Sequence, residues 1–377
     1  MSKLERLIQQ YCPDGVEWKP LGEVCDSLNK GTLTTSKLVK SNGHNYPVIN
    51  SGRELYGYYS KYNNEGDALT IAARGEYAGF VSYFSERFWA GGLCYPYRAN
   101  TPTVSTKYLY YYLKSKQEYI RHCLVAEGGI PALNKSIIEM FEIPVPPLPV
   151  QEEIVRILDT FTELQAELQA ELQAELQKRQ QQYNFYRDIL LSNMGNNAEY
   201  LTISEFAELK AGKAIKATEL SSIIDDNHSH PCFGGNGIRG FIDKVSHIGD
   251  YAIIGRQGAL CGCVNWASGK FYATEHAVVC TPRPNVSSRY LYHLFTVADL
   301  NQYKSQGAQP GLSVQRLNEL VFPIPPLEEQ NRIVAILDRF DTLTNDLTSG
   351  LPAEMEKRRQ QYEYYRDRLL TFKRKEA

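Results

Sequence analysis

The sequence predicts an α+β chain in which two pseudo-repeated α+β modules are separated by two long antiparallel helices that form a coiled-coil spacer. Three observations lead there. The stretch Ile143 to Leu191 recurs as Phe322 to Leu370 at a constant offset of 179 residues without a gap. Inside it, Ile143–Leu164 and Phe322–Leu343 agree at 12 of 22 positions, and Lys178–Leu191 and Lys357–Leu370 at 10 of 14, which composition alone cannot produce. The segments outside the recurrence share only scattered landmarks, at an offset near 183. The expected divisions are therefore 1–142 and 196–321 for the modules, 143–195 for a central helical region and 322–377 for a distal one.

The landmarks give each module its elements. Gly66-Asp67, Gly75 and Gly79 answer Gly249-Asp250, Gly258 and Gly262, and Gly57 answers Gly240. Short apolar runs between these glycines, Ala68–Ala72 and Tyr251–Ile254, read as strands bounded by turns. Phe88-Trp89-Ala90 answers Phe271-Tyr272-Ala273, and Tyr108–Leu113 answers Tyr290–Phe295, a helix expected to pack on the sheet. Near-identical helical regions beside diverged modules are what a shared scaffold with two different recognition surfaces would leave in a sequence.

Each helical region opens on prolines, Pro144, Pro146 and Pro147 or Pro323, Pro325 and Pro326, which fix φ and are expected to stop a preceding strand. Glu152 and Glu153, or Glu328 and Glu329, then favour the positive end of a helix dipole. The stripe Ile154, Ile157, Phe161, Leu164, Leu168, Leu172 and Leu176 is matched by Ile333, Ile336, Phe340, Leu343 and Leu347. Within Glu163–Gln177 the tetrapeptide ELQA repeats three times, followed by a partial fourth copy. Its residues are strong helix formers with no Gly or Pro among them. Repulsion between glutamates four apart costs only about 0.2–0.5 kcal/mol per pair. A helix from Gln151 to Leu191 would be roughly 60 Å long and needs a partner for its stripe, which the other copy supplies. Gly350 and Pro352 are expected to kink or interrupt the distal helix.

Composition narrows the function. With 377 residues, 43% hydrophobic and 22% charged, the chain fits two domains plus connecting helices. It has no run of about 18 apolar residues, and MSKLERLIQQ lacks a signal-peptide core, so a cytoplasmic protein with no membrane partner is expected. Eight cysteines without a CxxC pair argue for reduced, mostly buried thiols. A net charge of −2 is low for a stand-alone nucleic-acid binder and implies a helper. Gly235-Asn236-Gly237-Ile238-Arg239-Gly240 fits the letters of GxGxxG but precedes a strand-like Phe241-Ile242, so it reads as a glycine turn. Asp14 and Glu17-Trp18-Lys19 stand too close in sequence to flank a nuclease metal. His228, His230 and Cys232 suit a polar loop better than a metal site, and Cys261-x-Cys263 is expected to bury both thiols on one strand face. No catalytic residue, metal site or cofactor motif emerges.

Asp14-Gly15-Val16-Glu17-Trp18 leading to Leu21-Gly22-Glu23, together with the Pro-x-Pro-Pro-Leu entries followed by Ile-Val and Leu-Asp, resembles the specificity (S) subunit of type I restriction–modification systems along the whole length. The resemblance implies two target recognition domains, each reading half of a split sequence in double-stranded DNA. It also implies a non-catalytic chain assembled with two methyltransferase (M) subunits using S-adenosylmethionine and with restriction (R) subunits using ATP and Mg. Candidate DNA-binding residues are Lys30, Thr32, Thr34 and Lys37 with Lys213 and Lys216 in polar loops, for phosphate or groove contacts. Arg53, Arg74, Asn236, Arg239, Arg256 and Gln257 sit at glycine-rich turns, where Arg can grip guanine and Asn or Gln adenine. Tyr183, Tyr186 and Arg187, with Tyr362, Tyr365 and Arg366, are candidates for docking the M subunits or for closing the helix pair. The ELQA repeat resembles the short repeats with which some family members set the gap between half-sites. Two rival readings are a coiled-coil protein-binding adaptor, which leaves the two modules unexplained, and an autonomous nuclease or methyltransferase, which lacks a motif.

Overall fold

Two α+β units linked by one long helix make up the chain, which a computed structural model describes over residues 2–40, 43, 45–192, 197–258, 260–305, 310–345 and 350–376. The first unit comprises residues 1–170 and 355–377, the second residues 171–354.

In the first unit a four-stranded antiparallel sheet is ordered Cys25–Ser27, Cys94–Ala99, Ala68–Ala72, Val81–Phe84. Every residue of Ala68–Ala72 is buried, because the strand is covered on both faces. Leu69 and Ile71 point into a core with Tyr108, Leu109 and Leu113 of the helix Thr106–Ser115. Ala68 points the other way, to Ile49, Phe88 and Ala90. This is the period-two alternation of a strand serving two cores. A three-stranded sheet, Gly57–Tyr59, Tyr46–Ile49, Trp89–Ala90, closes the second face.

The second unit builds its four-stranded sheet in the order Ala207–Ala211, Ala277–Pro282, Tyr251–Gly255, Val264–Ala267. Ala252 and Ile254 meet Tyr290 and Leu291 of the helix Ser288–Val297, while Ile253 meets Phe233, Phe271 and Ala273 on the opposite face. Ser105 and Ser287 cap the two module helices by accepting hydrogen bonds from the backbone N–H of Tyr108 and Tyr290.

A fully buried glutamine fastens a helical region to its module in each unit. Gln151 accepts from the Ser105 N–H at 2.9 Å and donates to the carbonyls of Thr103 at 2.9 Å and Pro146 at 2.6 Å. Gln330 accepts from the Ser287 N–H at 2.8 Å and donates to Asn285 at 3.1 Å and Pro325 at 2.8 Å. Acidic and aromatic partners add to the anchor. Asp159 takes Tyr111 Oη at 2.6 Å and Lys107 Nζ at 2.7 Å, and Asp338 takes His293 Nε2 at 2.8 Å and Arg289 Nε at 2.7 Å.

Several expectations are corrected here. Strands do end at Pro146-Pro147 and Pro325-Pro326, as expected, but Pro144 and Pro323 lie inside them. Glu142–Val145 runs through Pro144 and pairs with Glu17–Pro20, and Val321–Ile324 runs through Pro323 and pairs with Glu199–Thr202. In a two-stranded pair a proline costs no second ladder, and Tyr108 Oη and Tyr290 Oη each donate to the proline carbonyl at 3.0 Å. The central helix spans Leu148–Ser192, 45 residues, beginning before Gln151. Its first turns bury Val150, Ile154 and Leu158 in the first core, as Ile333 and Leu337 enter the second. Ile157 and Ile336 are half-buried, whereas Phe161 and Leu164 are 36% and 56% exposed, so the expected stripe is not buried throughout. The face turned to the module shifts by one position because the helix first packs on a sheet-and-helix core. Leu168, Leu172, Leu176, Phe340 and Leu343 are half-buried, and Leu347 lies outside the described residues. The distal region forms two helices, Leu327–Asn345 and Leu351–Leu369, with Pro352 tolerated in the first turn of the latter. Cys261 is buried but Cys263 is exposed, because both lie in a turn around Gly262 at φ +92° rather than on a strand.

Among the described residues no helix is long and apolar enough to cross a membrane.

Replacing Gln330 by Ala leaves the Ser287 N–H and two carbonyls unpaired in a buried site, and should destabilise the second unit by about 1–3 kcal/mol. Chemical denaturation of the full chain checks this against the exposed control Asn331→Ala, which should match the parent. In the first unit Glu153, 3% exposed, binds Arg156 and Lys3, each at 2.7 Å. Arg156 first, and Lys3 with it, holds its carboxyl down at about 2 from the usual 4.5, against the opposing effect of burial. The resulting stability is present above pH ~4.5 and is lost as pH falls through the folded value. Glu153→Gln should therefore narrow its stability deficit relative to the parent as pH is lowered from 5 towards 2, read from denaturation midpoints.

Candidate nucleic-acid interface

In the second unit the backbone itself brings the predicted turn residues together. The strands His230–Gly234 and Gly237–Ile242 are joined at Gly234–Gly237, where Gly237 adopts φ +90°. A strand follows this glycine run, so the GxGxxG letters form a hairpin turn. The turn is pressed against the end of Tyr251–Gly255: a Cβ on Gly255 would lie 1.9 Å from the Gly235 carbonyl oxygen, and one on Gly235 would lie 2.5 Å from that of Gln257. Only glycine allows this approach. Asn236, Arg239 and Gln257 are exposed around the turn, and Gln257 pairs with Gly311 in an isolated bridge. Arg256 is half-buried, and its Nε donates to the Leu312 carbonyl at 3.3 Å, so part of its guanidinium serves the scaffold. The exposed Lys213 is tied to the same region by its N–H, which donates to the Ala273 carbonyl at 3.1 Å. Lys216 lies farther along that loop, exposed, where its N–H donates to Glu219 Oε1 at 3.3 Å.

The first unit repeats the plan with other side chains. Arg74 holds the place of Gln257, bridged to Ala132 and exposed. Arg53 is exposed between Tyr46–Ile49 and Gly57–Tyr59. Lys30 Nζ stands 5.1 Å over the Tyr95 ring, and the neighbouring Gly31 N–H donates to the Ala90 carbonyl at 2.9 Å. Burial pushes the Tyr95 hydroxyl up, while the positive charge of Arg74 pulls the other way. Thr32, Thr34 and Lys37 are exposed farther along, with Thr34 Oγ1 3.2 Å from Ser36 Oγ.

Three polar side chains in the second unit's loop cluster escaped sequence reasoning: Asn265, Glu275 and His276. Asn265 lines the turn, its Oδ1 2.9 Å from where a Gly237 Cβ would be. Glu275 and His276 follow Thr274, whose N–H donates to the Phe233 carbonyl at 2.9 Å. The Arg256 N–H donates to the His276 carbonyl at 2.7 Å, and Glu275 Oε1 is 3.2 Å from His276 Nε2. Asn265 Nδ2, Glu275 Oε2 and His276 Nδ1 are buried without a hydrogen-bond partner. A polar triplet between two apolar strands was the one available signal, and it is shared by ordinary turns.

On the helical regions, Tyr186 stacks on Phe340 at 5.7 Å and 25°, with Tyr183 at 6.4 Å from the same ring and Arg187 5.5 Å over Tyr183. In the first unit Tyr365 meets Phe161 edge-on at 6.4 Å, Tyr362 Oη lies 3.1 Å from Thr162 Oγ1, and Arg366 sits 6.0 Å over Tyr362. Tyr186 and Tyr365 remain 45% and 42% exposed. His228 pairs with Asp225 at 2.9 Å, while Cys232 is buried in a strand. Among the described residues no group of three or more His, Cys, Asp or Glu side chains could hold a metal ion.

Comparison with known proteins points to one family. The type I restriction modification DNA specificity domain matches residues 13–178 and again 196–357. The EcoprrI type I restriction enzyme specificity subunit of Escherichia coli is 39% identical, over 92% of each chain. The EcoR124I/EcoR124II specificity subunit of Escherichia coli is 30% identical over 100% of this chain and 98% of its own. In fold, the crystal structure of the type I restriction–modification S subunit from M. genitalium superposes with a TM-score of 0.55 at 19% identity, covering 94% of this chain and 96% of its own.

Proposed function

The chain belongs to the type I restriction–modification DNA specificity family, and from that premise we propose how its two units divide the work. It is a non-catalytic specificity subunit that recognises DNA and assembles with modification and restriction subunits, which carry the chemistry. Each unit reads one half of a split, asymmetric duplex target. The observation that carries this reading is one strand order and one loop bridge holding Arg74 in the first unit and Gln257 in the second. A guanidinium suits guanine O6 and N7, and a carboxamide suits adenine N6 and N7, so equal scaffolds present unequal readers. The lysines around them position phosphates. With a net charge of −2, much of the phosphate neutralisation falls to the partners.

The two helical regions, a pseudo-repeated pair forming an antiparallel coiled-coil spacer, carry two M subunits. Their docking rests on the exposed aromatic pairs around Tyr186 and Tyr365, with Tyr183, Arg187, Tyr362 and Arg366 beside them. S-adenosylmethionine is used in the M subunits, and ATP with Mg in the R subunits.

The ELQA run lies within one continuous helix, which supports a ruler. Removing four residues shortens a helix by about 6 Å and turns it about 40° beyond one revolution. One base pair advances about 3.4 Å and turns about 35°.

Methylome sequencing of cells expressing this chain with its M subunit should give a two-part motif with a fixed gap; a continuous motif would overturn the reading. Arg74→Ala should relax or abolish only the first unit's half-site, and Gln257→Ala only the second's, each by about 1–3 kcal/mol of discrimination. Deleting one ELQA unit should shorten the gap by one base pair, or at most two, with both half-sites unchanged. An unaltered gap would refute the ruler.

A further inference from the structure

We infer that Asn265, Glu275 and His276 form a second layer of base readers in the second unit, in which Glu275 selects an exocyclic amino group of a base. The inference rests on the reading that this unit recognises half of a DNA target. Its structural ground is that three side chains, each with a buried unpaired polar atom, lie on elements packed around one turn. Asn265 approaches the Gly234–Gly237 turn from the strand Val264–Ala267. Glu275 and His276 approach it from the loop between Lys270–Ala273 and Ala277–Pro282. Both elements abut the exposed candidates Asn236, Arg239 and Gln257.

Buried polar atoms normally find partners, so three unpaired atoms in one loop cluster leave hydrogen-bonding capacity that a base edge can use. The Glu275 and His276 side chains are each 36% exposed, so both reach the surface beside the buried atoms. Chemistry then restricts what Glu275 can meet. A carboxylate repels phosphates and the acceptor edges of guanine and thymine in the major groove. It is matched there only by the amino groups of cytosine N4 and adenine N6. An acidic side chain in a DNA-facing cluster therefore serves discrimination, since it weakens non-specific attraction.

The first unit supplies the contrast. The Gly91 N–H donates to the Ile49 carbonyl at 2.8 Å, the bond that the Thr274 N–H makes to Phe233. Gly91, Gly92 and Leu93 thus stand where the second unit has Thr274, Glu275 and His276. The backbone of the loop is kept while its chemistry changes completely, as expected of residues that set which bases are read.

The test uses the full chain assembled with its M subunit, after methylome sequencing of the parent has defined both half-sites. Competition binding with duplexes carrying each base pair at every second half-site position is measured for the parent, Glu275→Gln and His276→Ala. Glu275→Gln keeps the shape but adds a donor, and should lower discrimination about tenfold or more at one position whose preferred pair presents a cytosine or adenine amino group. First half-site preferences and the gap should not change. His276→Ala should relax a neighbouring position. Unchanged discrimination in both variants, or an equal fall on all duplexes including those altered only in the first half-site, would overturn the inference while leaving the parent reading intact. Absence of any two-part motif for the parent complex would instead sink the reading on which it rests.

Discussion

The buried glutamine at the start of each helical region is the constraint on which the architecture depends. Gln151 and Gln330 each use one acceptor and both donors on backbone groups that leave the module and enter the helix. Because the bonded groups flank the capping serine of the module helix, one side chain fixes both helix starts. The direction in which the helix departs is thereby set by a site with no solvent to relax it. Asp159 and Asp338 then hold the helix again about two turns further on, through different partners in the two units. The partners differ, and the anchoring carboxylate stays.

From that anchor outward, the two units separate what must be kept from what can differ. Strands buried on both faces, Ala68–Ala72 and Tyr251–Gly255, tie the sheet to the helix on one side and to a second sheet on the other. The loops at their ends carry the candidate reading residues. Their positions come from backbone pairing, as at Arg74 with Ala132 and Gln257 with Gly311, and not from their own side chains.

Much of this was legible in the sequence. The recurrence at a fixed offset pointed to the two helical regions, the glycine landmarks to the central strands, and the matched runs Tyr108–Leu113 and Tyr290–Phe295 to the module helices. What escaped has identifiable causes. Proline predicts a strand stop, which holds at Pro146-Pro147 and Pro325-Pro326, yet Pro144 and Pro323 lie within two-stranded pairs where the missing N–H costs little. The apolar stripe was read from spacing alone, while docking on the module selects Leu158 and Leu337 and leaves Leu164 exposed. Cys261 and Cys263 looked like strand neighbours, and the positive φ of Gly262 turns them into a loop. Of the candidate contacts, Asn236, Arg239, Arg256 and Gln257 could be found because glycine marks turns. The unpaired atoms of Glu275 and His276 leave no trace in the sequence, because only three dimensions reveal them.

The close approach of Gly255 to Gly235 has an evolutionary side. Where main chain rests on main chain, the loop's shape does not depend on which side chains project from it. Asn236 and Arg239 project from the turn as exposed side chains, whereas a methyl group at either glycine would collide with a carbonyl. Such a surface behaves like movable type set in a rigid frame: new words can be composed one letter at a time while the press stays the same.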